Sequence, residues 1–218
     1  KNLTYDLSSA NSINIGRLAP QITYYFKAYA DLLSRGQIAM GDTVNFCVPT
    51  GNFGDILAGW IAKQMGLPVG KLVCASNANN VLTDFIETGV YDRRRPLHKT
   101  DSPSMDILVS SNLERLLYFL SGDTALVAGL MKNLNTEGFY AVPDSLKKAI
   151  TEEFWAGYCD DAKAKQTIKA VFENQKYLCD THTATGWAVA EDYVNQTGDN
   201  RPMVVLSTAS AYKFPAAV

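Results

Sequence analysis

Residues 44–75 constrain this chain more than any other stretch. Val44-Asn45-Phe46-Cys47-Val48 is short, mostly apolar and β-prone, the pattern of a strand buried in a parallel sheet. Pro49-Thr50-Gly51-Asn52-Phe53-Gly54 reads as a turn. Ile56, Leu57, Trp60, Ile61 and Met65 then recur along one side of a helix, which Gly66 and Pro68 close. Lys71 to Ala75 is the next strand. Strand, turn, helix and strand in this order predict a βαβ unit, hence a parallel sheet with a right-handed crossover.

The rest of the chain is read around that unit. Ile15, Leu18, Ile22, Tyr25, Phe26 and Tyr29 predict a helix over 11–33, entered through Asn11-Ser12 and kinked or restarted at Pro20. The aromatics at 24, 25, 26 and 29 read as packing. A helix over 81–88 is closed by Gly89, and 91–104, with Arg93-Arg94-Arg95 before Pro96, reads as a solvated loop. Helices are predicted over 105–120, 126–134, 145–155, 161–174 and 183–193, with strands at 177–179 and, buried, at 203–206. This is an α/β core with a helical insertion near 105–175, and 218 residues suit one large domain.

Composition excludes several classes. A 47% hydrophobic content rules out a disordered chain, and a net charge of −2 argues against a dedicated nucleic-acid binder. The most apolar stretch, 56–75, is interrupted by Lys63, Gln64 and Lys71, so no membrane span is expected. Cys47, Cys74, Cys159 and Cys179 show no CxxC or zinc spacing, and two histidines make no metal cage. The cysteines read as reduced core residues of a cytoplasmic protein. The chain opens on Lys1, which suggests a piece of something longer.

Four places could carry chemistry. Thr50 to Gly54 joins a buried strand to a helix. A helix N-terminus exposes unpaired N–H groups and partial positive charge, and glycines let the backbone approach a phosphate. Asn52 adds a donor. The loop is neither Walker A nor G-x-G-x-x-G, and a turn with no ligand is the alternative. Ser207-Thr208 ends another strand, where a hydroxyl meets a polar ligand group or caps a helix. Asp180-Thr181-His182-Thr183 offers His182 as a base or donor, or merely a capped first turn. Asn14 and Arg17, three apart, share a helix face, and Arg17 suits a phosphate or carboxylate. Ser121-Gly122-Asp123-Thr124 reads as a helix–helix turn with Asp123 as N-cap, not an anion loop.

Together these places resemble threonine synthase, a fold-type-II (tryptophan synthase β-like) pyridoxal-phosphate enzyme. Val48 to Gly59 resembles the family's phosphate loop and following helix. Asn11 to Asn14 with Arg17 and Gln21, Ser104 to Leu116, and Ser207-Thr208-Ala209 with Lys213-Phe214 resemble further blocks, in order along the chain. Thr181 stands where the family usually has Pro, and Ser210-Ala211 where it has His-Pro. The resemblance implies the large-domain portion of a three-layer, mostly parallel α/β fold over 1–218. It implies pyridoxal 5′-phosphate held by Thr50, Gly51, Asn52, Phe53, Gly54 and Thr208, with Asn14, Arg17 and His182 toward the substrate. It implies conversion of O-phospho-L-homoserine and water to L-threonine and phosphate. None of the 13 lysines precedes an Asp, the family's context for the cofactor-linking lysine, so this chain is expected to be inactive alone for want of an N-terminal portion. A serine/threonine dehydratase-like lyase and a non-catalytic phosphate-binding module are the alternatives.

Overall fold

The structure is a computed structural model and describes residues 11–218. Its core is a four-stranded parallel sheet, ordered β5-β2-β1-β6. The strands are β1 (Val44–Pro49), β2 (Val69–Ser76), β5 (Phe154–Tyr158) and β6 (Met203–Val205). β3 (Val90–Asp92) and β4 (Phe139–Ala141) form a separate antiparallel pair. The helices are α1 (Ile15–Ser34), α2 (Gly54–Gln64), α3 (Val81–Thr88), α4 (Leu113–Ser121), α5 (Thr124–Thr136), α6 (Asp144–Glu153), α7 (Asp161–Gln175) and α8 (Thr181–Thr197).

Strand alternation divides the core. Along β1, Phe46 and Val48 face one cluster with α1 to α6, while Cys47 faces another with α7 and α8. This gives three layers around the β1–α2–β2 unit predicted from 44–75. All four cysteines are buried and free. Burial pushes the thiols up, those of Cys74 and Cys159 to about 12. Among the described residues no helix is long and apolar enough to cross a membrane, and no group of side chains could hold a metal.

Several elements depart from the sequence reading. α1 runs unbroken through Pro20, so the helix does not restart there. Pro20 lies in the second turn, where its missing N–H costs one bond to Gly16, and Leu18, Tyr25 and Tyr29 are buried around it. Tyr24 and Phe26 are exposed rather than packed. Residues 106–112 are irregular, not helical, because they serve the β1–α2 turn as described below. The helix ending at Glu153 passes without a loop into β5, which supplies a sheet strand inside the stretch read as helical. Phe154 continues the helical spacing of Leu146 and Ile150, which hid the change of period. Residues 177–179 are not a strand; Tyr177 and Leu178 are exposed and only Cys179 is buried. β6 pairs only with β1 and is half-buried rather than buried. Asp123 caps α5, accepting from the Leu126 N–H.

Candidate functional site: an anion cradle where strand order reverses

From β1 the sheet grows one way to β2 and β5, while β6 joins on the other side. Ligands of open α/β sheets bind where the order reverses, outside the strands' carboxyl ends. A cleft of about 760 Å³ lies there. The turn after β1, the segment after β6, the first turns of α1 and α2, Ser104-Met105 and His182 line it.

The β1–α2 turn presents its N–H groups to this cleft. None of the N–H groups from Gly51 to Ile56 has an acceptor among the described residues. Its carbonyls, by contrast, are held. Ser110 Oγ donates to Gly51 O at 2.9 Å, and Asn112 donates to Asn52 O through its backbone (3.1 Å) and Nδ2 (2.9 Å). Tying the carbonyls back turns the donors outward, toward an anion at the positive end of α2. Asn52 Nδ2 is a further donor without an acceptor there; Asn52 Oδ1 faces Ser111 Oγ at 3.4 Å.

Phe53 fixes the turn. It sits at φ 62°, a left-handed conformation costly for a side chain with a Cβ, and its ring is buried against Phe154 at 5.5 Å. Phe53 therefore offers only its backbone to a ligand. Thr50 is buried too, its hydroxyl turned back to Val48 O at 2.6 Å. Thr208 is exposed on the opposite wall, and its hydroxyl makes no hydrogen bond among the described residues. Neither Ser207 nor Thr208 caps a helix: the short turn that follows is entered at Ser210.

Arg17 lines the cleft, but Asn14 does not: it is the N-cap of α1, its Oδ1 accepting from Gly16 N at 2.8 Å, so the two share no helix face. His182 lines the cleft almost fully buried, with both ring nitrogens engaged. Asp180 caps α8 and accepts from His182 Nδ1 at 3.0 Å, while Ser104 N–H donates to Nε2 at 3.3 Å. Burial would raise the Asp180 carboxyl, but hydrogen bonds from His182 and Thr183 hold it down at about 2. An ionised Asp180 and a donating Ser104 define the Nδ1-protonated tautomer. His182 is thereby a clamp between α8 and the 104 segment, its ring 4.9 Å from that of Phe214.

Sequence reasoning gave no role to Ser110, Ser111, Asn112 or Arg115. Ser-Ser-Asn before an apolar helix looks like an ordinary cap. Yet the Asn112 side chain makes no cap bond; it reaches Asn52 O and Ser12 O, while Arg115 holds Asn112 Oδ1 at 2.7 Å and Ile13 O. Asp55 was missed as well. It lines the cleft one residue into α2, and burial pushes its carboxyl up from 3.8 to about 6, against a smaller opposing effect of the Tyr25 hydroxyl. Protonation stabilises the fold here: the contribution is complete below about 3.8 and is lost as pH rises through about 6. The same proton removes a like charge from the cleft. Sulfate, which stays dianionic, is expected to bind roughly three- to tenfold tighter at pH 5 than at pH 7.5. Calorimetric titration checks this, and Asp55→Asn should flatten the dependence; a flat wild-type profile would refute it.

A family profile described as "Threonine synthase, C-terminal" matches residues 183–218. The chain is 44% identical to human "Threonine synthase-like 1" over 214 residues, 97% of this chain and 28% of that one. It is 36% identical to threonine synthase of Saccharomyces cerevisiae over 232 aligned positions, all of this chain and 45% of that one. In fold it is similar to the structure titled PLP bound threonine synthase from Brucella melitensis, with a TM-score of 0.89 and 44% identity over 97% of this chain and 44% of that chain. The chain thus spans less than half the length of these relatives. Along nearly its whole length, in sequence and in its three-layer α/β fold, the chain is similar to part of threonine synthase.

Proposed function

We propose that the chain carries the cofactor-phosphate side of a threonine-forming site, the intact protein converting O-phospho-L-homoserine and water to L-threonine and phosphate. The observation that carries the reading is the row of N–H groups from Gly51 to Ile56 without acceptors among the described residues, at the point where strand order reverses. A phosphate monoester fits donors of that kind. In this reading those N–H groups and Asn52 Nδ2 hold the phosphate of pyridoxal 5′-phosphate. The Thr208 hydroxyl, on the opposite wall, would serve the cofactor's ring nitrogen; being neutral, it would not hold a proton there as a carboxylate would. The cofactor, when bound, supplies the electron sink for carbanion chemistry on the amino acid. Arg17 and Lys213, both on the cleft wall, provide positive charge for the substrate's phosphate. Asn14 acts through its cap, and His182 by holding the 104 segment. The linking lysine comes from the additional length that the relatives possess.

The reading is tested by titrating the chain with inorganic phosphate while following amide chemical shifts. One helix terminus contributes about 0.3–2 kcal/mol, so binding no tighter than millimolar is expected, weakening with salt, with the Gly51 to Ile56 amides moving most. Pyridoxal phosphate should shift the same amides, and pyridoxal, which lacks the phosphate, should not. If those amides stay still at tens of millimolar phosphate while others move, the assignment fails.

A further inference from the structure

The segment 98–106 runs as a strap past the turn after β2 and the first turn of α8, and its Ser104 and Met105 line the cleft. It is fastened at both ends. Asn79, in the turn after β2, pairs its side-chain amide with both His98 backbone groups: His98 N–H donates to Oδ1 at 2.9 Å, and Nδ2 donates to His98 O at 2.9 Å. At the far end, the Asp106 carboxylate collects four donors from two chain segments. Oδ1 accepts from Asn77 Nδ2 (2.8 Å), Asn79 Nδ2 (3.0 Å) and Thr100 Oγ1 (2.7 Å), and Oδ2 accepts from the Thr100 backbone N–H (2.9 Å). Asn77, Asn79 and Ser102 around it are buried.

This hub demands a carboxylate. Every neighbour of the Asp106 oxygens donates, and only an ionised carboxyl accepts on both. An amide of the same shape, even with its oxygen kept on the three-donor side, would set its N–H2 against the Thr100 N–H and leave that donor unpaired. What the hub fixes is the position of Ser104-Met105. A Cβ placed on Gly51 would lie 3.0 Å from Ser104 O and 3.2 Å from Met105 Cα, so strap and anion turn are in backbone contact there. Met105 is buried, and Ser104 N–H is held by His182.

We propose that Asp106 is a positioning residue for the anion turn, holding the strap against Gly51 so that the N–H groups from Gly51 to Ile56 converge on one phosphate. This rests on the reading of that turn as the phosphate site. The experiment is phosphate titration of the chain and of Asp106→Asn, Thr100→Val and Leu130→Ala, each well below its melting temperature, read at the Gly51 to Ile56 amides. Asp106→Asn should weaken binding at least tenfold and displace those amide shifts before any phosphate is added. Thr100→Val, which removes one of the four donors, should weaken binding about threefold; should Asp106→Asn fail to fold, this variant decides. Leu130→Ala thins the core at α5, which contributes no residue to the strap or to the cleft lining, and should bind like wild type even with a lowered melting temperature, as a purely structural effect would not allow. Binding by Asp106→Asn, or in its place Thr100→Val, indistinguishable from wild type overturns the proposal and leaves the phosphate site standing. A wild-type chain that binds no phosphate at this turn overturns both.

Discussion

Gly51→Val is expected to abolish anion binding at the β1–α2 turn, a loss beyond the reach of a phosphate titration that saturates the wild-type site. The space around Gly51 explains why. The first carbon of any side chain meets Ser104 O and Met105 Cα, backbone atoms held by His182 on one side and the Asp106 hub on the other. A flexible side chain could swing away; a fastened backbone cannot. Valine adds two methyls to that carbon and is stiff at χ1, so the turn or the strap must move. Either movement disperses the N–H groups. Gly54→Ala is the control: a Cβ there finds only ordinary contacts, Asn112 Nδ2 at 3.4 Å and Gln21 Oε1 at 3.8 Å. It should keep most of the affinity. Equal binding by Gly51→Val and wild type, or equal loss in both variants, would refute the steric argument.

Tyr25→Ala should be the most destabilising single change, by about 3–5 kcal/mol on the scale of large aromatic truncations in cores. The ring is fully buried, packs edge-on against Phe46 at 5.0 Å, and its hydroxyl donates to Asp55 O at 2.7 Å. It also explains a glycine in the middle of α2. A Cβ on Gly59 would lie 2.5 Å from Tyr25 Cε1 and 2.7 Å from Cζ, so the helix gives up propensity to admit the ring. The two positions are therefore coupled. Gly59→Ala should destabilise the wild type by roughly 1–3 kcal/mol through overpacking, yet stabilise Tyr25→Ala, where only the movable end of Leu72, Cδ2 at 3.0 Å, still crowds the new Cβ and alanine's better helix propensity of about 1 kcal/mol is set free. Denaturant unfolding of the four proteins in a double-mutant cycle reads the sign directly. Additive effects would show that the ring does not dictate Gly59.

The β1–α2–β2 unit, its glycine-rich turn and the caps at Asp123 and Asp180 were legible from residues alone. Each is a short-range pattern in which spacing, turn chemistry and propensity agree: apolar strand, Gly-rich turn, amphipathic helix. The family resemblance likewise rested on ordered local blocks. What the sequence could not settle were features decided across the sheet. β5 exists because β2 offers an edge to Phe154–Tyr158, and its residues carry on the helical spacing of α6, so local period alone pointed the wrong way. Tyr177 to Cys179 has the opposite history, a β-prone run that pairs with no strand of either sheet among the described residues. Residues 106–112 gave up helix because Ser110 and Asn112 spend their hydrogen bonds on Gly51 and Asn52, some 60 positions earlier. His182 in sequence was either a base or donor or merely part of a capped first turn, and became a clamp once Asp180 and Ser104 took its two nitrogens. Local propensity determined which residues could form the anion turn. Only tertiary hydrogen bonds, between segments far apart in the chain, decided which way its donors point.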